Sequence, residues 1–149
     1  MEKSTFVYVT FIRTTPEKLW AKLTETEIPR EFFWATTLHG EIRAGAKWHS
    51  TAPDGTVVDG GEILELDPPK RLVLSWQHEM QEEKKAEGVS RMTYTLEPKE
   101  GMVKLTVLHE MDRGQSKFIE AVSNGWPVIL SSLKTLLETG EALEDTRTW

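Results

Sequence analysis

Hydrophobic and polar residues divide this chain into a short run of elements, many strands, and one long terminal stripe. Thr5 to Ile12 (TFVYVTFI) is dense in β-branched and aromatic residues. It predicts a strand with both faces partly covered. Thr14-Thr15-Pro16-Glu17 then reads as a helix start. A threonine caps the free amides, proline fits the first turn, and glutamate suits the positive helix end. Leu19, Trp20 and Leu23 give that helix its apolar stripe. Thr24-Glu25-Thr26-Glu27 has capping-box spacing and predicts a second short helix running into Phe32, Phe33 and Trp34.

From Thr36 the period becomes two. Trp48–Thr51 leads into the turn sequence Pro53-Asp54-Gly55 and returns as Val57–Leu66, with Gly60-Gly61 expected to form a bulge or bend. Asp67-Pro68-Pro69 ends that strand. In Arg71–His78, alternation puts Leu72, Leu74, Trp76 and His78 on one face. Glu79–Glu87 (EMQEEKKAE) reads as a solvated hairpin loop. Val89–Leu96 sets Met92, Tyr94 and Leu96 on one face, with Arg91 on the other. Met102–Met111 sets Val103, Leu105, Val107, His109 and Met111 together, opposite Lys104, Thr106 and Glu110.

Phe118, Val122, Trp126, Ile129, Leu130, Leu133 and Leu137 recur at spacings of three and four, predicting a long helix that stops at Gly140. Pro127 predicts a bend near Gly125. The whole is an α+β fold of order β-α-α-β6-α. An antiparallel sheet of about seven strands with one wet face must cover the other, and the terminal helix is the large cover available. A helix across a concave sheet leaves room for a cavity, the default place for a ligand.

Composition narrows the chemistry. The chain has 149 residues and a formal net charge of −6. One domain over residues 1–149, with its core at about 5–140, fits this length. Without cysteine there is no disulfide framework, cysteine zinc site or thiol nucleophile. The acidic balance argues against nucleic acid as a partner. No stretch reaches the ~18 apolar residues that a bilayer span needs, and Met1–Arg13 lacks the features of a signal peptide. The expectation is a cytoplasmic protein that engages no membrane.

In order and spacing, four segments carry a family resemblance: Ile12–Trp20 (IRTTPEKLW), Asp54–Gly60 (DGTVVDG), Glu65–Trp76 (ELDPPKRLVLSW), and Asn124-Gly125-Trp126-Pro127 with Leu130, Leu133 and Leu137. Through them the chain resembles the activator of heat-shock-protein-90 ATPase homologue family, within the START-related SRPBCC superfamily. The resemblance covers about Thr5 to Gly140 and implies the helix-grip fold. It implies a short, single-domain, bacterial-type member. It also implies a possible stress-linked role and interaction with a chaperone. The separate domain by which the eukaryotic activator contacts its chaperone is not matched.

Six tryptophans are the compositional oddity; Trp149, the last residue, is expected to be frayed. The expected cavity lining is Phe33, Trp34, Trp48, Trp76, His78, Met92, Tyr94, His109, Trp126 and Leu130. His78 and His109 are inward-facing polar groups able to orient a ligand. No HExxH, nucleophile elbow or phosphate-binding glycine loop is present, so the pattern calls for no metal, no cofactor and no assigned catalytic residue. The function expected is binding of a small hydrophobic molecule without catalysis. The alternatives are a chaperone-accessory interaction and a cyclase- or dehydratase-type reaction on an apolar substrate using His78, His109 and Tyr94.

Overall fold

The computed structural model describes residues 2–149. The chain runs β1 (Ser4–Ile12), α1 (Pro16–Leu23), β2 (Pro29–Arg30), β3 (Thr36–His39), β4 (Lys47–Thr51), β5 (Val57–Asp67) and β6 (Arg71–His78). It continues α2 (Glu82–Lys85), β7 (Ser90–Lys99), β8 (Met102–Met111), α3 (Lys117–Thr139) and a 3-10 turn at Glu144–Thr146. Eight antiparallel strands form one sheet in the order β1-β8-β7-β6-β5-β4-β3-β2. The sheet curves around α3, an α+β helix-grip arrangement.

Thr15 settles the first cap: its side chain accepts from the Lys18 amide at 3.2 Å. The second helix expected at Thr24 does not form. Thr24 instead closes α1, its hydroxyl donating to the Trp20 carbonyl at 2.7 Å. Glu27 then turns at φ 66°, and its carboxylate meets His39 Nδ1 at 2.8 Å. The chain continues into β2, the extra strand beyond the expected seven, and a tight turn.

β1 is not covered on both faces. Val7 is 56 % exposed, and Val9 and Phe11 share its outer side. The inner sides of β6, β7 and β8 carry the core as alternation predicts, with Leu72, Met92, Tyr94, Val103 and Leu105 buried against Trp126, Ile129, Leu130 and Leu133 of α3. Arg91 points outward and pairs with Glu65 at 2.7 Å.

Gly60 and Gly61 are not themselves the irregularity in β5. Both lie in register with β4; the pairing with β6 shifts between Ile63 and Glu65, and the pairing with β4 shifts just beyond Asp59, between Ser50 and Thr51. Gly61 is required by close approach: a Cβ there would lie 2.0 Å from the Ser75 carbonyl oxygen.

The acidic run is more than a solvated loop. It contains α2, and Glu87 caps α3 by accepting from the Ser116 hydroxyl at 2.5 Å and the Lys117 amide at 2.8 Å. Burial pushes the Glu87 carboxyl up, but these donors outweigh it and hold it below the usual range. Helix α3 runs unbroken through Asn124, Gly125 and Pro127, and ends at Gly140 in the left-handed region, φ 92°.

Candidate functional site

Where β5 begins and β6 ends, the N-terminal half of α3 stands off the sheet. The gap is a cavity of about 260 Å³. Phe33, Trp34, Trp76, Phe118 and Trp126 form its aromatic wall; Val58, Ala121, Val122 and Ile129 add aliphatic surface.

The turn carrying Phe33 and Trp34 is held in an uncommon backbone. Trp34 (φ 51°) and Ala35 (φ 57°) are both left-handed, at a cost of about 1–2 kcal/mol each. Neighbouring groups enforce it. The Phe33 and Ala35 amides both donate to the Arg30 carbonyl at 3.0 Å. The Arg30 guanidinium lies 4.2 Å from the centre of the Phe33 ring. It also donates to the Thr36 hydroxyl at 2.8 Å, which in turn donates to the Phe33 carbonyl at 2.7 Å. The Trp34 ring then rests on α3 at Gly125, where a Cβ would meet it at 3.8 Å.

One corner of the cavity is polar. Asp59 on β5 lies opposite His78 on β6, and its carboxylate accepts from His78 Nδ1 at 3.2 Å. With Nδ1–H on the carboxylate, Nε2 of the neutral ring is a bare acceptor. Among the described residues, Trp76 Nε1 and His78 Nε2 are the buried side-chain polar atoms with no hydrogen-bond partner. Trp76 is packed among rings, with Trp48 at 5.1 Å, Trp126 at 5.8 Å and Phe33 at 6.5 Å. Lys84 of α2 also reaches the cavity, its ammonium donating to the Gln81 side chain.

His109 is the opposite case. It is fully buried, and its ring is locked at both ends. The Trp126 indole N–H donates to Nδ1 at 3.1 Å. An indole nitrogen only donates, so Nδ1 carries no proton and Nε2–H donates to the Ser90 hydroxyl at 2.8 Å. The Ser90 hydroxyl in turn donates a hydrogen bond to the Trp76 carbonyl at 2.9 Å. Burial depresses the His109 pKa to about 3. Such a ring is a neutral tie between α3 and the sheet, not an acid or base near neutral pH.

Arg30 and Tyr94 lie beside a second, much smaller void of about 20 Å³, with Trp48 and Trp76. Burial lowers the Arg30 pKa to about 10, against the pull of Tyr94 and Asp59, and leaves it a cation. Burial pushes the Tyr94 hydroxyl up, while Arg30 acts to lower it.

Of the ten residues expected at the cavity, Phe33, Trp34, Trp76, His78 and Trp126 line it. Trp48 and Tyr94 border the smaller void instead. Met92, His109 and Leu130 are sealed in the core, which corrects their expected place. Trp149 is a correction of the other sign: 58 % exposed, it nevertheless lines the cavity rather than standing apart. Asp59, Phe118 and Lys84 also line the cavity, and sequence pattern does not single them out for it. Phe118 belongs to the helical stripe, where periodicity marks it only for packing. Asp59 becomes visible only through the strand register.

A long helix gripped by a curved antiparallel sheet, with an apolar chamber between them, defines a cavity-forming protein of the helix-grip class. Within that class the chain belongs to the family described as Activator of Hsp90 ATPase homolog 1-like protein, which it matches over residues 13–138. No curated protein matches it. Among solved structures it is similar to protein MLL2253 from Mesorhizobium loti, with 25% identity and a TM-score of 0.75 over 91% of this chain and 97% of that one. The Aha1 dimer from Colwellia psychrerythraea shares 24% identity, TM-score 0.71, over 92% and 98% of the two chains. CalU16 from Micromonospora echinospora shares 21%, TM-score 0.70, over 91% and 77%. The latter two show the fold. No helix among the described residues is long and apolar enough to cross a membrane.

Proposed function

We propose that this protein binds a small hydrophobic molecule in the chamber between β5, β6 and α3, without performing chemistry on it. The observation that carries this reading is the wall: aromatic and aliphatic side chains from the Phe33–Trp34 turn, β6 and α3 line a cavity of about 260 Å³. Covering about 250 Å² of apolar ligand surface supplies roughly 6 kcal/mol before the entropic cost of association. The direct test is native mass spectrometry of freshly purified protein, followed by analysis of what denaturation releases. A discrete bound mass names the ligand's chemical class. A clean apo mass, together with no thermal stabilisation across lipid, polyketide and aromatic panels, sinks the reading.

A second reading, contact with a chaperone or another protein, draws support from the family membership and from the outer side of β1. There Val7, Val9 and Phe11 are exposed in a row at the edge of the sheet. The relative from Colwellia psychrerythraea is described as a dimer. A pull-down that returns no chaperone, with no change in chaperone ATPase rate, removes the chaperone version.

A further inference from the structure

We infer that the bound molecule is an aromatic or similarly flat apolar compound carrying a neutral hydroxyl group, whose O–H donates to His78 Nε2. This rests on the ligand-binding reading above and specifies its polar end.

The cavity offers few polar groups, and most are committed. The Thr36 hydroxyl donates to the Phe33 carbonyl and accepts from Arg30. The Lys84 ammonium is held by Gln81 at the cavity's edge. What remains is the Asp59–His78 pair, which presents acceptors, and the Trp76 indole N–H, a buried donor without a partner among the described residues that the oxygen of a hydroxyl group can also meet. The Asp59 carboxylate holds the proton on Nδ1; in the neutral ring Nε2 then has a lone pair, and it has no partner. A buried acceptor left unpaired costs about 1–3 kcal/mol. A ligand donor recovers that cost at the moment of binding, whereas an ether or a hydrocarbon leaves it standing.

The donor is neutral rather than cationic for an electrostatic reason. Lys84 reaches the same cavity, and the buried Arg30 cation acts on Asp59 through the wall. An ammonium group entering there meets two positive charges for one carboxylate that is already engaged. The flat shape follows from the wall. Phe118 lies beside His78 with ring centres 5.9 Å apart. Trp76 and Trp126 stand edge-to-face at 5.8 Å. Flat rings match the surfaces that these indoles and phenyl groups present.

The test compares 2-naphthol, 2-methoxynaphthalene and naphthalene by calorimetry, on wild type and on His78→Phe. The ether is the more apolar of the oxygenated pair, so burial alone favours it. We expect wild type to hold naphthol about tenfold more tightly than the ether, a difference of about 1.4 kcal/mol. In His78→Phe the preference disappears while naphthalene still binds. A readout independent of the variant's folding is the imidazole ¹⁵N spectrum of wild type: naphthol should move the His78 Nε2 signal and the ether should not. If naphthol and ether bind equally, or the signal stays in place, the hydroxyl assignment is overturned and the apolar cavity stands. If none of the three probes binds, the flat hydroxyl-bearing assignment is overturned, and the cavity reading falls only if the native mass is also clean apo protein.

Discussion

His78 and His109 occupy equivalent places in the sequence pattern, each inward-facing near one end of a strand, yet their surroundings differ in kind. His109 sits under Trp126 with both nitrogens engaged, in a chain that ends on a main-chain carbonyl. His78 has one nitrogen on Asp59 and the other on nothing. The first region is a finished polar network and adds stability. The second leaves a nitrogen in the cavity wall with no partner among the described residues, open to a donor. A face assigned by alternation says that a side chain points inward. It does not say whether something there meets it.

The sharpest way to break the comparison is to open the closed region. Trp126→Ala removes a buried indole and the donor to His109 together. It should cost about 3–5 kcal/mol, read by urea unfolding. A loss much below that would mean that the region is not closed in solution.

Titration separates the two regions next. The folded His109 pKa lies well below its ordinary value of 6.5. The unfolded chain therefore binds a proton that the folded one refuses. Stability from this group is complete above about pH 6.5 and declines as pH falls toward about 3, by at most ~1.4 kcal/mol per pH unit. Urea midpoints of wild type should fall more steeply through this window than those of His109→Leu. Parallel slopes would place a water or a second proton at the ring. Glu87, held low in the fold, adds an acid-side loss of the same sign below its ordinary 4.5 in both proteins.

A smaller effect tests the roof of the open region. Glu87→Gln weakens the cap on α3 and should cost about 1 kcal/mol. Amide exchange should quicken at Lys117 and Phe118, whose N–H groups that carboxylate receives. Unchanged exchange would show that Ser116 suffices as the cap.

The smallest expected change is the most telling. Replacing both polar partners in Asp59→Leu/His78→Phe should leave stability within about 1 kcal/mol of wild type, because an unpaired acceptor and a buried carboxylate leave together. A large loss in unfolding experiments would make that pair structural after all.

Much of the architecture was legible in residue order. β8 has the expected bounds, the inner faces of β6 and β7 hold the expected side chains, and α3 stops at Gly140. These features come from periodicities that local backbone geometry imposes. The capping-box signal at Thr24 misled because the same residue types serve either end of a helix. Here the Thr24 hydroxyl closes the last turn of α1. The cavity was half legible. Its aromatic residues stood out, but depth along a strand is set by where the roof lifts away. Met92 and Leu130 therefore share the patterns of Trp76 and Trp126 and still lie sealed in the core. Trp149 reaches the chamber through contacts distant in sequence. The Thr146 hydroxyl, for one, donates to the Glu31 carbonyl at 2.7 Å.

The register shift in β5 acts like a change of reading frame for side chains. Above it Leu66 faces Leu72; below it Ile63 faces Leu74 and Asp59 faces His78. Continued in the upper frame, Asp59 would stand opposite Glu79, and Leu64 and Glu62 would turn inward in place of Ile63 and Gly61. Losing one residue at Leu64 would leave the hairpin's turn alone and exchange the two sides of the strand. The single extra residue thus decides whether His78, inside the chamber, meets a carboxylate across the strand pair or the bare backbone of Gly60.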